Sequence, residues 1–325
     1  MAESGIPVVV MGLGEVGRAI ARRAAAHPDL RLVGAVDPAK GIAGRKLDDL
    51  LGAPAGGLTV ASDPAKALQA ARGGVVLLAT TSSFEAALPV IERAVRAGCS
   101  VVSTCEELAW PWLHHEEAAG ALDALCEEHD VAVVGTGVNP GFALDRLPAF
   151  LAQVTGEVRH VRGLRVVDLA QRRDALRKKA GVGLTEAAFE AAEERGEVGH
   201  VGLSESAALA AAGCGLEVDE VEEELVPLVA EEAGHGLAPG QVAGLSQVAR
   251  AFQEGREVVR LELVFALGAE DPRDEVELDA DPPLQVVVPG GVPGEPATVA
   301  AVVHAALAVT ERRGLITVLD LPAGR

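Results

Sequence analysis

Apolar and polar positions follow one pattern over the first 140 residues and another after them. In the first part, short apolar runs are separated by stretches with the 3.6-residue period of amphipathic helices. The runs predict strands at Val8–Met11, Leu32–Val36, Val75–Leu78, Ser100–Ser103 and Val131–Val134. The stretches between them predict helices at Val16–His27, Pro64–Arg72, Phe84–Ala97 and Pro111–His129. Apolar strands alternating with helices are typical of a parallel sheet that is covered on both faces.

After Gly135 the pattern favours longer strands mixed with short helices. Strands are predicted at Val161–Leu169, Val218–Val226, Val258–Leu267 and Glu275–Leu278, and helices at Pro148–Gln153, Ala187–Glu194 and Ser206–Ala212. A segment at Leu284–Gly291 ends in Pro-Gly-Gly. A long apolar helix follows at Thr298–Thr310, and a strand is predicted at Leu315–Leu319.

A glycine-rich turn follows the first predicted strand, and a helix pattern begins at its third glycine. In dinucleotide-binding βαβ units, the first glycine permits a tight turn and the second lets a pyrophosphate approach the backbone. The third lets helix and strand pack closely, and the helix N-terminus attracts phosphate. An acidic residue also follows the second strand at the expected spacing. The motif therefore predicts NAD or NADP binding by Gly12, Gly14, Glu15, Val16, Gly17 and Asp37.

Together these patterns predict an α/β protein with three parts. Residues 1–140 form a Rossmann domain, a doubly wound parallel sheet that binds the dinucleotide. Residues 141–290 form an α+β substrate and dimerisation domain. Residues 291–325 supply a C-terminal helix and strand that return to pack on the first domain.

Further polar residues follow the later strands of the predicted Rossmann domain. Ligands bind at the carboxyl ends of strands in open α/β sheets, so we expect cofactor contacts from Thr80, Ser82, Thr104 and Asn139. Glu106 and Glu107 lie one strand end away from the expected nicotinamide position. A carboxylate at a partly dry site suits a general base. The alternative is a solvated pair that caps the next helix, and the residues alone leave both open.

The composition of the chain excludes some classes of binding partner. The 325 residues carry 28 Lys and Arg against 48 Asp and Glu, a formal net charge of −20, which argues against nucleic acid and anionic membranes. The chain shows no signal peptide pattern and no apolar run near the ~20 residues of a membrane span. Its four cysteines lack metal-ligand spacing. We therefore expect a reduced, cytoplasmic protein without a metal.

Four histidines could each have a structural or a functional role. His114 and His115 are adjacent on a predicted helix and so face different ways, which predicts surface residues rather than metal ligands. His200 lies in a glycine-flanked loop, where it either reaches the domain cleft or has a structural role. His304, inside the apolar C-terminal helix, is predicted to be a core residue that is either packed or satisfied by hydrogen bonds.

Several blocks, in order along nearly the full chain, resemble the 2,4-diaminopentanoate dehydrogenases and equally their relatives, the native amine dehydrogenases. The blocks are Ser103–Leu108, Gly135–Phe142, Val166–Asp168 with Arg172 and Arg173, Gly199–Ser206, Pro289–Val292 and Leu315–Pro322. The resemblance implies a fold similar to dihydrodipicolinate reductase and a homodimer. It also implies NAD(P)-dependent deamination of an amine to a ketone and ammonia, or the reverse reductive amination.

The resemblance also implies residue roles. Glu106 would handle the proton of the amine or water, with Glu107 as the second candidate, and Phe142 would set substrate size. The chain departs from the family at His304, where Asn is expected. A diamino acid needs a cation for its carboxylate, and a simple alkyl amine needs an apolar pocket around Phe142; both substrates fit. The predicted pocket residues are Phe142, Arg165, Arg172 and His200, with Arg173 as a further candidate cation.

The sequence leaves open the choice between NAD and NADP, and it allows rival activities. Asp37 favours NAD, whereas the nearby Lys40 and Arg45 would tolerate NADP. A dihydrodipicolinate reductase-like enzyme is one rival, but its Pro-Ser-Gly-Thr stretch and lysine are missing here. A homoserine- or semialdehyde-type dehydrogenase is another. A non-catalytic NAD(P)-sensing protein is the rival from a different class, because fold alone does not establish catalysis.

Overall fold

The structure is a computed structural model that describes residues 5–324, apart from the side chain of Gln171. The chain divides into two compact units. The first comprises the chain up to Phe142 together with Pro293 onward, and the second comprises Ala143–Val292. The boundaries predicted from the sequence are residues 140 and 290.

The first unit is built on a six-stranded parallel sheet. Its strands are β1 Ile6–Met11, β2 Leu30–Val36, β3 Val75–Leu78, β4 Ser100–Ser103, β5 Ala132–Gly135 and β12 Gly314–Ile316. Its helices are α1 Glu15–Ala25, α2 Leu47–Leu51, α3 Ala65–Ala70, α4 Phe84–Arg96, α5 Trp112–His129 and α10 Gly294–Ala308. The strand order is β12-β5-β4-β3-β1-β2, and the doubly wound α/β class predicted from the sequence is confirmed.

Local sequence explains how these helices begin and which face they bury. Ser83 caps α4 by accepting a hydrogen bond from the Ala86 amide. Helix α4 then buries one face at helical spacing, formed by Phe84, Ala87, Ile91, Ala94 and Val95. Because the neighbouring strands are buried on both faces, the core of this unit consists mostly of Val, Leu, Ile and Ala side chains.

The second unit contains a mixed six-stranded sheet in the order β11-β10-β6-β9-β8-β7. Its strands are β6 His160–Asp168, β7 Glu220–Val229, β8 Val242–Gln253, β9 Arg256–Ala266, β10 Arg273–Asp279 and β11 Leu284–Pro289. Its helices are α6 Arg146–Ala152, α7 Asp174–Lys179, α8 Glu186–Glu193 and α9 Leu203–Gly213. Helix α9 is almost wholly buried against α6 and the strands β7, β8 and β9.

The structure corrects several predicted elements. The short helix α2 and the long strand β8 fall where no element was predicted. The basic run after Arg172 contains α7. The last predicted strand is shorter, because β12 ends at Ile316 and a short 3-10 helix, capped by Thr317, follows at Val318–Asp320. Within residues 5–324, no helix is both long enough and apolar enough to cross a bilayer.

Candidate functional site

The parallel sheet of the first unit brings the predicted cofactor residues to one edge. The carboxyl ends of all six strands meet there, since the strands run in the same direction. The glycine turn follows β1, Asp37 follows β2 and Thr80 follows β3. Glu106 and Asn139 follow β4 and β5. This edge is the candidate active site.

The glycine turn has the geometry of a phosphate cradle. Gly12 has a positive φ of 84°, and a Cβ placed on Gly17 would overlap the Gly12 carbonyl oxygen, so both positions require glycine. A Cβ on Gly14 would instead meet nothing within 4 Å. Helix α1 starts at Glu15 without a side-chain cap. The space before its N-terminus therefore fits a dinucleotide pyrophosphate bound by backbone amides.

Asp37 is buried beside this turn. Its Oδ2 accepts a hydrogen bond of 2.8 Å from the Leu13 amide, and its Oδ1 accepts one of 2.8 Å from the Ala39 amide. Each carboxylate oxygen can accept a second hydrogen bond, so both could also serve ribose hydroxyls. Lys40 and Arg45 are exposed nearby in the sequence.

The loops after β3 and β4 are joined to each other. The Ser82 carbonyl accepts hydrogen bonds from the Glu107 amide at 3.3 Å and from the Cys105 thiol at 3.1 Å. The Thr104 amide donates to the Leu78 carbonyl at 3.0 Å. Thr80 borders the glycine turn, because its Cγ2 lies 2.9 Å from the place that a Cβ on Gly12 would take.

The two candidate bases have different surroundings. Glu107 lies at the start of a 3-10 helix, Glu107–Ala109, and its Oε2 accepts a hydrogen bond of 2.7 Å from the Phe84 amide at the N-terminus of α4. The same oxygen lies 3.5 Å from His115 Nε2. The Glu107 carboxylate thus bonds to the start of the preceding helix α4, and it is neither solvated nor a cap of the next helix, as one alternative drawn from the sequence had it. Glu106 is half-buried at the preceding position.

His115 is not the surface residue that the sequence predicts for both histidines of the pair. His114 is exposed, but the His115 side chain is largely buried against the Phe84 ring, with ring centroids 5.2 Å apart. The prediction assumed a regular helix. Helix α5 is kinked at His115, whose φ of −136° and ψ of 41° are not helical.

The segment after β5 is held by the C-terminal helix. Asn139 is buried in this segment, and the Val138 amide donates a hydrogen bond of 3.2 Å to Thr298 Oγ1 in α10. His304 is half-buried further along the same helix. Phe142 ends the segment with its ring partly exposed.

The predicted pocket residues Arg165, Arg172 and His200 belong to the second unit. Arg165 is 4% exposed, and its Nη1 lies 2.6 Å from Asp274 Oδ2 while its Nη2 donates to the Val292 carbonyl at 2.7 Å. Burial lowers the pKa of Arg165, and the Asp274 charge opposes this shift. The charge of Arg165 is therefore already balanced within the unit. Arg172 is half-buried after β6.

His200 is fixed through its backbone. The Gln247 side-chain amide accepts from the His200 N–H and donates to the His200 carbonyl, both at 2.7 Å. The His200 ring packs edge-to-face against Phe265 at a centroid distance of 5.9 Å. Gln247 itself is almost fully buried in β8.

Comparison with known proteins assigns the family. Residues 142–325, more than half of the chain, match the model described as the 2,4-diaminopentanoate dehydrogenase C-terminal domain. The chain belongs to the 2,4-diaminopentanoate dehydrogenase family. It is 28% identical to a 2,4-diaminopentanoate dehydrogenase of Acetoanaerobium sticklandii, and the match covers 98% of this chain and 94% of that protein.

Amine dehydrogenases are also similar to this family member. A solved amine dehydrogenase from Mycobacterium smegmatis has a TM-score of 0.86 and 25% identity, covering 99% of this chain and 97% of that one. An amine dehydrogenase of Streptomyces virginiae is 32% identical over 55% of this chain and 51% of its own length. The resemblance identified from the sequence blocks is thus confirmed.

Sequence reasoning missed the residues that fix these functional groups. Thr298, Gln247 and Asp274 were not singled out, because each acts on a residue far away along the chain. Thr298, the first residue of the C-terminal helix predicted from the sequence, was the one available signal. Nothing in the local pattern around Gln247 or Asp274 indicated a buried partner.

Proposed function

We propose that this protein is an NAD(P)-dependent amine dehydrogenase that converts an amine to a ketone and ammonia, and catalyses the reverse reductive amination. Family membership supports the reaction class. The observation that carries the proposal for this chain is a half-buried carboxylate, Glu106, at the same sheet edge as the glycine turn.

The cofactor part of the proposal rests on the turn and on Asp37. Gly12, Gly14 and Gly17, with the amides of Glu15 and Val16, would hold the pyrophosphate, and Thr80, Ser82, Thr104 and Asn139 would line the rest of the cofactor. The Asp37 carboxylate would bind the ribose hydroxyls and repel a 2′-phosphate. We therefore infer a preference for NAD, with NADP tolerated because Lys40 and Arg45 are exposed nearby in sequence.

In the proposed mechanism, Glu106 exchanges protons with substrate and water. It takes a proton from the substrate ammonium, because only a neutral amine has a lone pair to assist loss of the hydride. A bound nicotinamide would supply the acceptor for that hydride. Glu106 releases that proton to solvent and then takes one from a water as the water oxygen bonds to the iminium carbon. It passes this proton to the amino nitrogen, and as the C–N bond breaks and ammonia leaves, the hydroxyl proton returns to Glu106 and the ketone forms. Positioning of these groups can supply about 7–11 kcal/mol of the barrier reduction.

For the substrate we propose 2,4-diaminopentanoate first and small alkyl amines second. The near full-length similarity to a 2,4-diaminopentanoate dehydrogenase supports the first. Because Asp274 already balances Arg165, the substrate carboxylate would fall to Arg172, with His200 and Phe142 as further pocket residues. An apolar contact with Phe142 alone would suit an alkyl amine.

We also infer a homodimer, which the family resemblance supports. We infer a cytoplasmic location from the spacing of the cysteines.

The variant E106Q tests the proposal. It removes the proton acceptor but keeps the side-chain volume, so we expect kcat to fall by about 10²- to 10⁴-fold with cofactor affinity unchanged. Turnover is followed at 340 nm with NAD and NADP, using 2,4-diaminopentanoate for oxidation and small ketones with ammonia for reduction. Glu116, exposed on α5, gives the control E116Q. Undiminished turnover in E106Q would show that another group is the base.

A further inference from the structure

Glu107 connects three segments of the first unit around one carboxylate. Its Oε2 accepts the Phe84 amide at 2.7 Å and lies 3.5 Å from His115 Nε2, while the ring of His115 packs on Phe84. Its own amide donates to the Ser82 carbonyl. Glu107 is thus attached by both backbone and side chain to the segment that starts α4.

The residues before and after Glu106 are also held in place, by hydrogen bonds on one side and by close packing on the other. Before it, the Cys105 thiol donates to the Ser82 carbonyl at 3.1 Å, and the Cys105 amide donates to Ser103 Oγ at 3.1 Å. After it, the 3-10 helix packs tightly on β5, because a Cβ on Gly135 would lie 2.6 Å from the Leu108 carbonyl carbon. The backbone that carries Glu106 therefore has little freedom.

We propose that Glu107 is a positioning residue that holds Glu106 in the geometry needed for proton transfer, an inference that rests on the proposed function. The Phe84 amide needs an acceptor, and Glu107 supplies it from the position next to the base. His115 contacts the same oxygen from α5 and restricts its movement. Catalysis by a base is sensitive to displacements of about 1 Å, which can cost about 10²-fold in rate.

The experiment compares E107Q, E107A and the control E85Q. A glutamine keeps an oxygen for the Phe84 amide, so E107Q is expected to retain at least about a third of kcat. An alanine removes the acceptor, so kcat should fall by about 10- to 100-fold while cofactor Kd stays within about twofold. Glu85 lies 4.0 Å from the other ring nitrogen of His115 and is 81% exposed, so E85Q should match the wild type.

Two further readouts separate positioning from a general loss of structure. The primary deuterium isotope effect on kcat, with substrate labelled at the carbon that loses hydride, should rise in E107A as chemistry becomes slower. The acidic limb of the pH profile of kcat/KM should persist in E107Q, which keeps the proposed base Glu106, and should be absent in E106Q.

Each outcome decides between the proposals. Loss of turnover in E107Q as complete as in E106Q would make Glu107 a proton-transferring group and overturn its positioning role. Wild-type kcat in a folded E107A would also overturn it, while loss in E106Q would leave the proposed function intact. If E107A does not fold, E107Q together with H115A, expected to lose about three- to tenfold in kcat, provides the decision.

Discussion

The three glycines of the turn after β1 have different structural reasons, although the motif presents them as equivalent. Gly17 packs so closely on Gly12 that a side chain cannot be inserted, whereas the Cα of Gly14 faces open space. Gly14 has φ −64° and ψ −169°, a conformation that alanine also adopts. Only the ligand therefore gives a reason for glycine at position 14.

Alanine substitutions at these two positions should separate stability from binding. We expect G17A to lower the free energy of unfolding by about 1–3 kcal/mol, because the Gly12 backbone must shift. G14A should unfold like the wild type but bind the dinucleotide at least about tenfold more weakly, because its methyl group lies where the phosphates approach. Urea unfolding and fluorescence titration measure the two effects. Equal cofactor affinity in G14A and the wild type would contradict the proposed cradle.

Among the site residues, those whose position depends on residues close by in the sequence could be predicted. The glycine turn and Asp37 belong to a single βαβ unit with fixed spacing, and they do lie together, with the Leu13 amide bonded to Asp37. The choice between Glu106 and Glu107 could not be made. It depends on Phe84 and His115, and no local pattern shows that these two residues meet Glu107.

Among the elements, β6 and β10 are joined by a buried ion pair. Arg165 and Asp274 are directly opposite each other in the register of the two strands. Asp274 Oδ2 also accepts a hydrogen bond of 2.7 Å from the amide of Val292, the last residue of the second unit. The ion pair therefore also holds the C-terminal end of that unit. This structural role competes with the substrate role predicted for Arg165.

The variant R165M distinguishes these two roles. Because it leaves a buried carboxylate without its cation, we expect the free energy of unfolding to fall by about 3–5 kcal/mol. Arg162 is exposed on the same strand, and R162M should change stability by no more than about 0.5 kcal/mol. Urea midpoints of both variants give the comparison. A raised KM for substrate in R165M, at wild-type stability, would support substrate binding instead.

The strands of the parallel sheet could be predicted from the sequence, whereas strand β8 could not. The first five strands of the parallel sheet are mostly apolar runs, because helices cover both faces, and their predicted ends agree with the structure to within two residues. Strand β8 carries Gly244, Ser246 and Gln247 within its length, which breaks the apolar pattern. Its identity as a strand comes from pairing with β7 and β9 on its two sides, which a local pattern does not contain.

Across the whole molecule, all four cysteines are free thiols and all lie in the described part of the chain. Burial raises the pKa of Cys99 to about 11 and that of Cys105, Cys126 and Cys214 to about 12. A thiol reacts through its thiolate, so these groups are poorly reactive in the folded protein at neutral pH.

Thiol labelling should therefore report global unfolding. At pH 8 the native protein should react with iodoacetamide at fewer than about one site per chain, and urea-unfolded protein should react at all four. Folded-state pKa values above those of the unfolded chain also mean that the folded state keeps protons that the unfolded state loses. Stability should thus fall as pH rises above about 9. Rapid labelling of the native protein would contradict the burial of these thiols.

The position of β12 beside β5 has a consequence for synthesis on the ribosome. The first five strands of the parallel sheet are translated early, but the strand that covers the outer edge of β5 emerges only after the whole of Ala143–Val292. Until then the nascent chain exposes the unpaired amides and carbonyls of an apolar strand. The second unit is continuous in sequence, so it can complete its fold before the first. During that time the exposed edge of β5 is the part of the sheet that a chaperone could bind for longest.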